Sequence, residues 1–171
     1  MDKLCIEPIK EAVTLEGIPH STPFQCAITV QPHQTSNEVN HVNNIEYLRW
    51  IDKASQLHCD ACGWTREKLL QKNVMWFVAR HEIDYRAEAT SKDDLLLTTW
   101  VDDIKRVKSW RTTQIHAINN GTQDANSTHR LLCQCKTLWV LVDLQTRRPT
   151  SISNEMGNAL QPLQKPRLAH T

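Results

Sequence analysis

The chain has 171 residues and a mass of 19.7 kDa, with 40% hydrophobic and 23% charged residues, which suits one compact domain and excludes disordered or collagen-like composition. Its 20 Lys and Arg against 19 Asp and Glu leave a formal net charge of +1, so the bulk cationic footprint of a nucleic-acid-coating protein is missing. No stretch approaches the roughly 18 consecutive apolar residues of a membrane helix, and the opening MDKLCIEPIKEA lacks the apolar centre of a signal peptide. A soluble, cytoplasmic protein that engages neither nucleic acid nor membrane is expected.

Residues 1–22 hold scattered apolar positions and two prolines and read as an arm, or a short helix, lying on the domain. FQCAITV at 24–30 reads as a strand that Pro32 stops by removing a ladder donor. The polar stretch 33–40 offers Ser36 and Asn37 as helix caps. A helix of about 20 residues then follows, because Ile45, Leu48, Ile51, Ala54 and Leu57 recur at helical spacing while Trp50 and Ala61 widen the stripe. Gly63 is its natural stop, and Thr65 caps a second, short helix in TREKLL.

From Val74 the period changes to two. Met75, Phe77, Ala79, His81, Ile83 and Tyr85 share one face and Arg80, Glu82 and Asp84 the other, the pattern of a half-buried antiparallel strand. Three more strand-like runs follow: LLLTTWVDDI at 95–104, SWRTTQIHAI at 109–118 and LLCQCKTLWVLVDL at 131–144. Their links SKDD, KRVK and NNGTQDANSTH are short or turn-rich, so the four strands are expected to form an antiparallel meander with the long helix packed across one face. A short helix near 153–160 and a loose tail complete an α+β chain.

Several chemistries are closed. Only four glycines are present and no G-x-S-x-G occurs, which removes dinucleotide folds and the serine-hydrolase elbow. The eight histidines show no metal spacing, so neither metal nor cofactor is expected. Cys59 and Cys62, with Cys133 and Cys135, could in principle hold zinc or a redox bridge. Gly63 after the first pair and the strand-like setting of the second favour reduced, buried thiols for all six cysteines, Cys5 and Cys26 included.

The segment with most chemistry is NEVNHVNNIEYLRW at 37–50. It gathers amides, a histidine and a tyrosine in a polar loop that opens onto the long helix, where free N–H groups and the positive dipole end can bind or polarise an oxygen. His41 is the candidate general base, against a role as a loop-bonded residue at the helix start, and Asn37 could orient water or donate to an oxyanion. Glu38 and Glu46 are the carboxylates nearest in sequence. His81 reads as a satisfied core histidine rather than a ligand.

The string H-V-N-N-x-x-Y-L-R-W resembles the helix start of the hotdog-fold acyl thioesterases that act on acyl-CoA or acyl-carrier-protein thioesters. The likeness extends to VARHEIDYRAEATSKDDLLLTTWVDDIKRVK and VDLQTRRPTSIS, and so covers most of residues 24–155. It implies a single hotdog domain over 1–171, with a long helix wrapped by an antiparallel sheet, subunits paired as a homodimer or tetramer, and active sites at their interface. It also implies thioester hydrolysis by an acidic residue four positions before the histidine. That position is Asn37, which cannot accept a proton as a carboxylate does. Asn40 stands where glycine is frequent, and Val39 where one variant has asparagine.

Asn37 and His41 are therefore the catalytic candidates. Asn40, Val42, Asn43, Asn44 and Tyr47 are candidates for binding substrate, Asn43 and Asn44 also being suited to capping the helix. Tyr47 and Trp50 also suit a core or pocket wall. Lys105, Arg106 and Lys108, beside Arg111, form a basic cluster that would clamp the phosphates of coenzyme A or an acidic carrier protein, or else a solvated turn. A weakly active or inactive acyl-thioester binding protein of the same fold is the alternative; the histidine-plus-acid pattern of a hotdog dehydratase is not apparent.

Overall fold

A computed structural model describes residues 4–36, 38–118 and 129–164. In chain order it contains β1 (Ile6–Pro8), β2 (Phe24–Ile28), a 3₁₀ turn (Pro32–Gln34), α1 (Asn44–Ala61), α2 (Arg66–Gln71), β3 (Val74–Tyr85), β4 (Asp94–Lys105), β5 (Lys108–Ile118), β6 (Arg130–Asp143) and α3 (Asn154–Ala159). The strands form one six-stranded antiparallel sheet in the order β1-β2-β4-β5-β6-β3. The α+β class and the expected long helix are present.

Two expectations change. The arm contains a strand: β1 pairs with β2 from Ile6↔Ile28 to Pro8↔Cys26, although three residues are too few to show a period. The four later strands are not a sequential meander either. Only β4, β5 and β6 follow one another, while β3 lies at the far edge beside β6. The 86–93 link leaves β3 still bonded to β6, through Arg86 N–H to the Leu132 carbonyl at 2.7 Å. Strand β2, in turn, takes the free side of β4, with Phe24 opposite Thr99 and Ile28 opposite Leu95. Edge placement explains why the alternating β3 leaves Phe77, Val78 and Tyr85 exposed. In β4, by contrast, Leu95 through Val101 are all buried, as a strand covered on both faces requires.

The chain divides into two compact units. The first comprises the described residues up to 55 together with 83–99 and 113–134. Here Tyr47, Trp50, Ile51 and Ala54 of α1 are buried at helical spacing, and the buried Gln25 amide is satisfied by the Val13 carbonyl and Thr98 Oγ1. The second comprises 56–82, 100–112 and the described residues from 135 on. Its apolar cluster joins Trp64, Leu69, Val101, Ile104, Leu141 and Met156, each such side chain contributing roughly 1.5–3 kcal/mol by burial.

Helix ends in the second unit follow the local chemistry. Gly63 adopts φ +76, and the Trp64 N–H closes back on the Cys59 carbonyl at 2.9 Å, the six-to-one bond that ends a helix on a left-handed residue. Thr65 and Ser153 accept from the Lys68 and Met156 N–H groups, capping α2 and α3. All six cysteines are free thiols; Cys26, Cys133 and Cys135 are buried, and burial pushes the Cys26 thiol up to about 12. Among the described residues no helix is long and apolar enough to cross a membrane.

Candidate active site

The site is built in the first unit from two loops and the start of α1. Residues 34–36 meet 41–43 through a Thr35↔Val42 bridge, with Ser36 N–H on the His41 carbonyl at 3.0 Å and Asn43 N–H on the Gln34 carbonyl at 2.9 Å. The second loop, 86–93, runs antiparallel alongside, bridged through His41↔Thr90, with Val42 N–H on the Ala89 carbonyl at 2.8 Å. Its own shape is held by Asp93, whose Oδ2 accepts from Thr90 N–H at 2.7 Å and Thr90 Oγ1 at 2.9 Å, and by Arg130, which donates to the Glu88 carbonyl at 2.9 Å.

All the sequence candidates but one have a place in the described structure. Asn37 lies outside the described residues. His41 is half-buried, and among the described residues its imidazole has no hydrogen-bond partner. Asn40 turns the loop at φ 48, a left-handed conformation that asparagine tolerates. Its Oδ1 accepts from Ser91 Oγ at 3.2 Å, so its side chain is spent on the neighbouring loop. Val42 is buried, 2% exposed, and acts as the apolar anchor of the loop.

Asn43 is a cap: its Oδ1 takes the Ile45 N–H at 3.2 Å and its carbonyl the Glu46 N–H at 2.9 Å. Asn44 opens α1, its carbonyl accepting the Tyr85 hydroxyl at 3.1 Å. Among the described residues nothing accepts from the Asn44 N–H, which leaves a backbone donor at the positive end of an 18-residue helix. Tyr47 is buried between Trp50 and Tyr85, with ring centroids 5.4 Å apart in each pair. Burial pushes its phenol up to about 12, so it remains protonated and serves as wall.

Sequence reasoning underrated one group. Glu46 is 4% exposed, and its carboxylate accepts from Gln34 Nε2 and from Arg49 Nη1, both at 2.8 Å. Gln34, 1% exposed, also receives the Gln31 N–H on its Oε1 at 2.8 Å. The i,i+3 spacing of Glu46 and Arg49 was legible in the chain; the partner twelve residues upstream was not.

The basic cluster, in the second unit, is smaller than expected. Arg106 sits at φ 51 in the two-residue turn between β4 and β5, Lys105 pairs with Asp103 at 2.9 Å, and Lys108 is exposed. Arg111 does not belong with them. It is 3% exposed and its Nη1 donates to His58 Nδ1 at 2.8 Å, because position 111 falls on the buried alternation of β5. Its burial draws its pKa down, partly offset by the neighbouring Cys59 and Cys62. His81, also in this unit, is a half-buried core histidine, its Nδ1 3.0 Å from Thr137 Oγ1.

Residues 30–160 match the family described as the Thioesterase-like superfamily. The chain belongs to this superfamily. Among curated proteins it is 25% identical over 134 residues to a chloroplastic palmitoyl-acyl carrier protein thioesterase of Cuphea hookeriana, a match covering 78% of this chain but only 28% of that protein. Among solved structures it resembles 4-hydroxybenzoyl-CoA thioesterase, with a TM-score of 0.72 and 14% identity over 81% of this chain and 99% of that one. The 1,4-dihydroxy-2-naphthoyl-CoA thioesterase of Synechocystis follows, with a TM-score of 0.68 and 16% identity over 83% and 98% of the two chains. This superfamily member has the hotdog fold.

Proposed function

We propose that the chain hydrolyses an acyl thioester of coenzyme A or of an acyl-carrier protein to the free acid and thiol. The observation that carries this reading is the head of α1, where the half-buried His41 stands three residues before the Asn44 N–H, for which there is no acceptor among the described residues. In this mechanism the Asn44 N–H and the helix dipole polarise the thioester carbonyl. His41 takes a proton from water as the water oxygen attacks, giving a tetrahedral oxyanion. Collapse expels the thiolate, and the proton on His41 passes to it. Asn37 orients the water; Asn40, Asn43 and Asn44 hold the loop's shape; Val42 and Tyr47 wall the site. Lys105, Arg106 and Lys108 bind carrier phosphates.

The same reading takes 1–171 as one hotdog domain that pairs as a homodimer, or a pair of dimers, through the free edge of β3, where Phe77, Val78 and Tyr85 are exposed. Six free thiols suit a reducing compartment, the cytoplasm. A second reading, a binding protein with little turnover, is favoured by the amide at Asn37; a solved neighbour carrying an Asp-to-Asn substitution is complexed with 4-hydroxybenzoyl-CoA.

Thiol release across acyl-CoA and acyl-carrier-protein panels tests both. His41→Ala should cost on the order of 10²–10⁴-fold in kcat, and Asn37→Asp should lower activity or leave it similar. A large gain from Asn37→Asp on a near-background rate, with His41→Ala inert, would replace hydrolysis by the binding reading.

A further inference from the structure

We infer that Gln34 and Glu46 form a latch that sets the position of the His41 loop, making them positioning residues for the reaction; the inference rests on the hydrolytic reading above. Residues 34 and 46 bracket the whole segment that carries Asn37, His41 and Asn44. Gln34 grips three points: its Oε1 accepts Gln31 N–H at 2.8 Å, its carbonyl accepts Asn43 N–H at 2.9 Å, and its Nε2 donates to Glu46 Oε2 at 2.8 Å. Glu46 lies in the first turn of α1, so the bond ties the loop's first residue to the helix that supplies the carbonyl-polarising N–H.

Both side chains are more than nine-tenths buried. A buried carboxylate is retained at a desolvation cost and holds only if its oxygens are bonded, and here each is: Oε2 to Gln34 and Oε1 to Arg49. The amide cannot be replaced by water without opening the loop, and it has one geometry in which its oxygen faces Gln31 and its nitrogen faces Glu46. The latch therefore reduces the freedom of the loop before substrate arrives, the preorganisation on which a positioned base depends.

The polarity of this pair allows a test by exchange. Gln34→Glu alone places two carboxylates at hydrogen-bond distance, so one must take up a proton before the contact closes. In the exchanged protein Gln34→Glu/Glu46→Gln, the carboxylate at position 34 accepts from the Gln31 N–H and from the new amide, whose oxygen accepts from Arg49. Every bond is restored, and only the one between positions 34 and 46 has donor and acceptor reversed.

Three readouts are compared with the unaltered protein: kcat and KM on its best thioester, the ratio of variant to parent kcat between pH 6 and 8.5, and amide exchange of peptides spanning 34–44. Gln34→Glu should lower kcat at least tenfold at pH 8 with KM changed less than threefold. Its ratio to the parent should rise as pH falls, because a shared proton rebuilds the contact. Exchange in 34–44 should quicken about tenfold, and the exchanged protein should return all three readouts to within threefold of the parent. If Gln34→Glu does not fold, Glu46→Gln, whose single amide oxygen can accept from Gln34 or from Arg49 but not from both, should show the same kcat loss and faster exchange in lesser degree.

Undiminished kcat in Gln34→Glu, or recovered melting temperature without recovered kcat in the exchanged protein, overturns the positioning role. Absence of any hydrolysis by the parent protein sinks the hydrolytic reading instead; the amide-exchange arm still decides whether the latch holds the loop.

Discussion

Of the charged side chains buried among the described residues, Glu46 and Arg111 are held in different ways. Glu46 is enclosed but its guanidinium partner is not: the Arg49 side chain is 55% exposed, so one end of the Gln34–Glu46–Arg49 network reaches solvent. Arg111 is 3% exposed and bonds the imidazole of His58, and Cys59 and Cys62, its thiol neighbours, are themselves pushed up by burial and so stay protonated. The first network stands beside a loop with an asparagine at φ 48, the loop whose shape the proposed reaction uses. The second is set between a strand and the last turn of a helix, elements already regular, and so governs stability. A buried charge thus signals function only where the backbone around it would otherwise be free to move.

That contrast is broken most easily at Arg111. Arg111→Ala removes a large buried stem and the donor to His58, and should cost about 3–5 kcal/mol in urea unfolding, whereas Arg111→Met should recover most of that by refilling the space. In both, kcat of the folded fraction should match the parent; a kcat loss in Arg111→Met beyond tenfold would erase the division between the two networks. At the other network Arg49→Met should cost about 1–3 kcal/mol, because it leaves the buried Glu46 Oε1 without its donor, with Gln34 still bonded to Glu46. A destabilisation as large as that of Arg111→Ala would show that the open end matters as much as the closed one.

The smallest expected effect sharpens the contrast by supplying charges that are not buried at all. Replacing Lys105, Arg106 and Lys108 together with Ala should leave the melting temperature nearly unchanged. KM should rise a few-fold at low salt and less at high salt, with kcat constant, as when uniform binding is lost. KM unchanged on both CoA and carrier-protein substrates would make the turn a solvated one.

How far the chain could be read depends on the range of the forces involved. Local signals were sufficient where the structure is local: the 3.6-residue stripe of α1, the cap Thr65, the stop at Gly63, the period-two run of β3 and the strand-like runs of β4 to β6 all stand close to where the pattern puts them. Asn43 was legible for the same reason, since its amide acts on the N–H of Ile45 two residues away.

Strand order was not legible, because a hairpin-length link permits but does not require neighbouring strands to pair. The 86–93 link instead carries the chain from the edge strand β3 to β4, with β6 and β5 ordered between them. Arg111 looked like one more cation beside Lys108, and only the sheet decided that its side chain turns inward to His58. Glu46 could be paired with Arg49 from spacing alone, but its bond to Gln34 depends on the loop closing. By itself the sequence determined the element types from β2 onward and the stop of α1 at Gly63, set by neighbours within a few residues. Tertiary structure alone decided which strands meet and which charges are buried, because contacts between residues far apart in the chain leave no periodic trace in it.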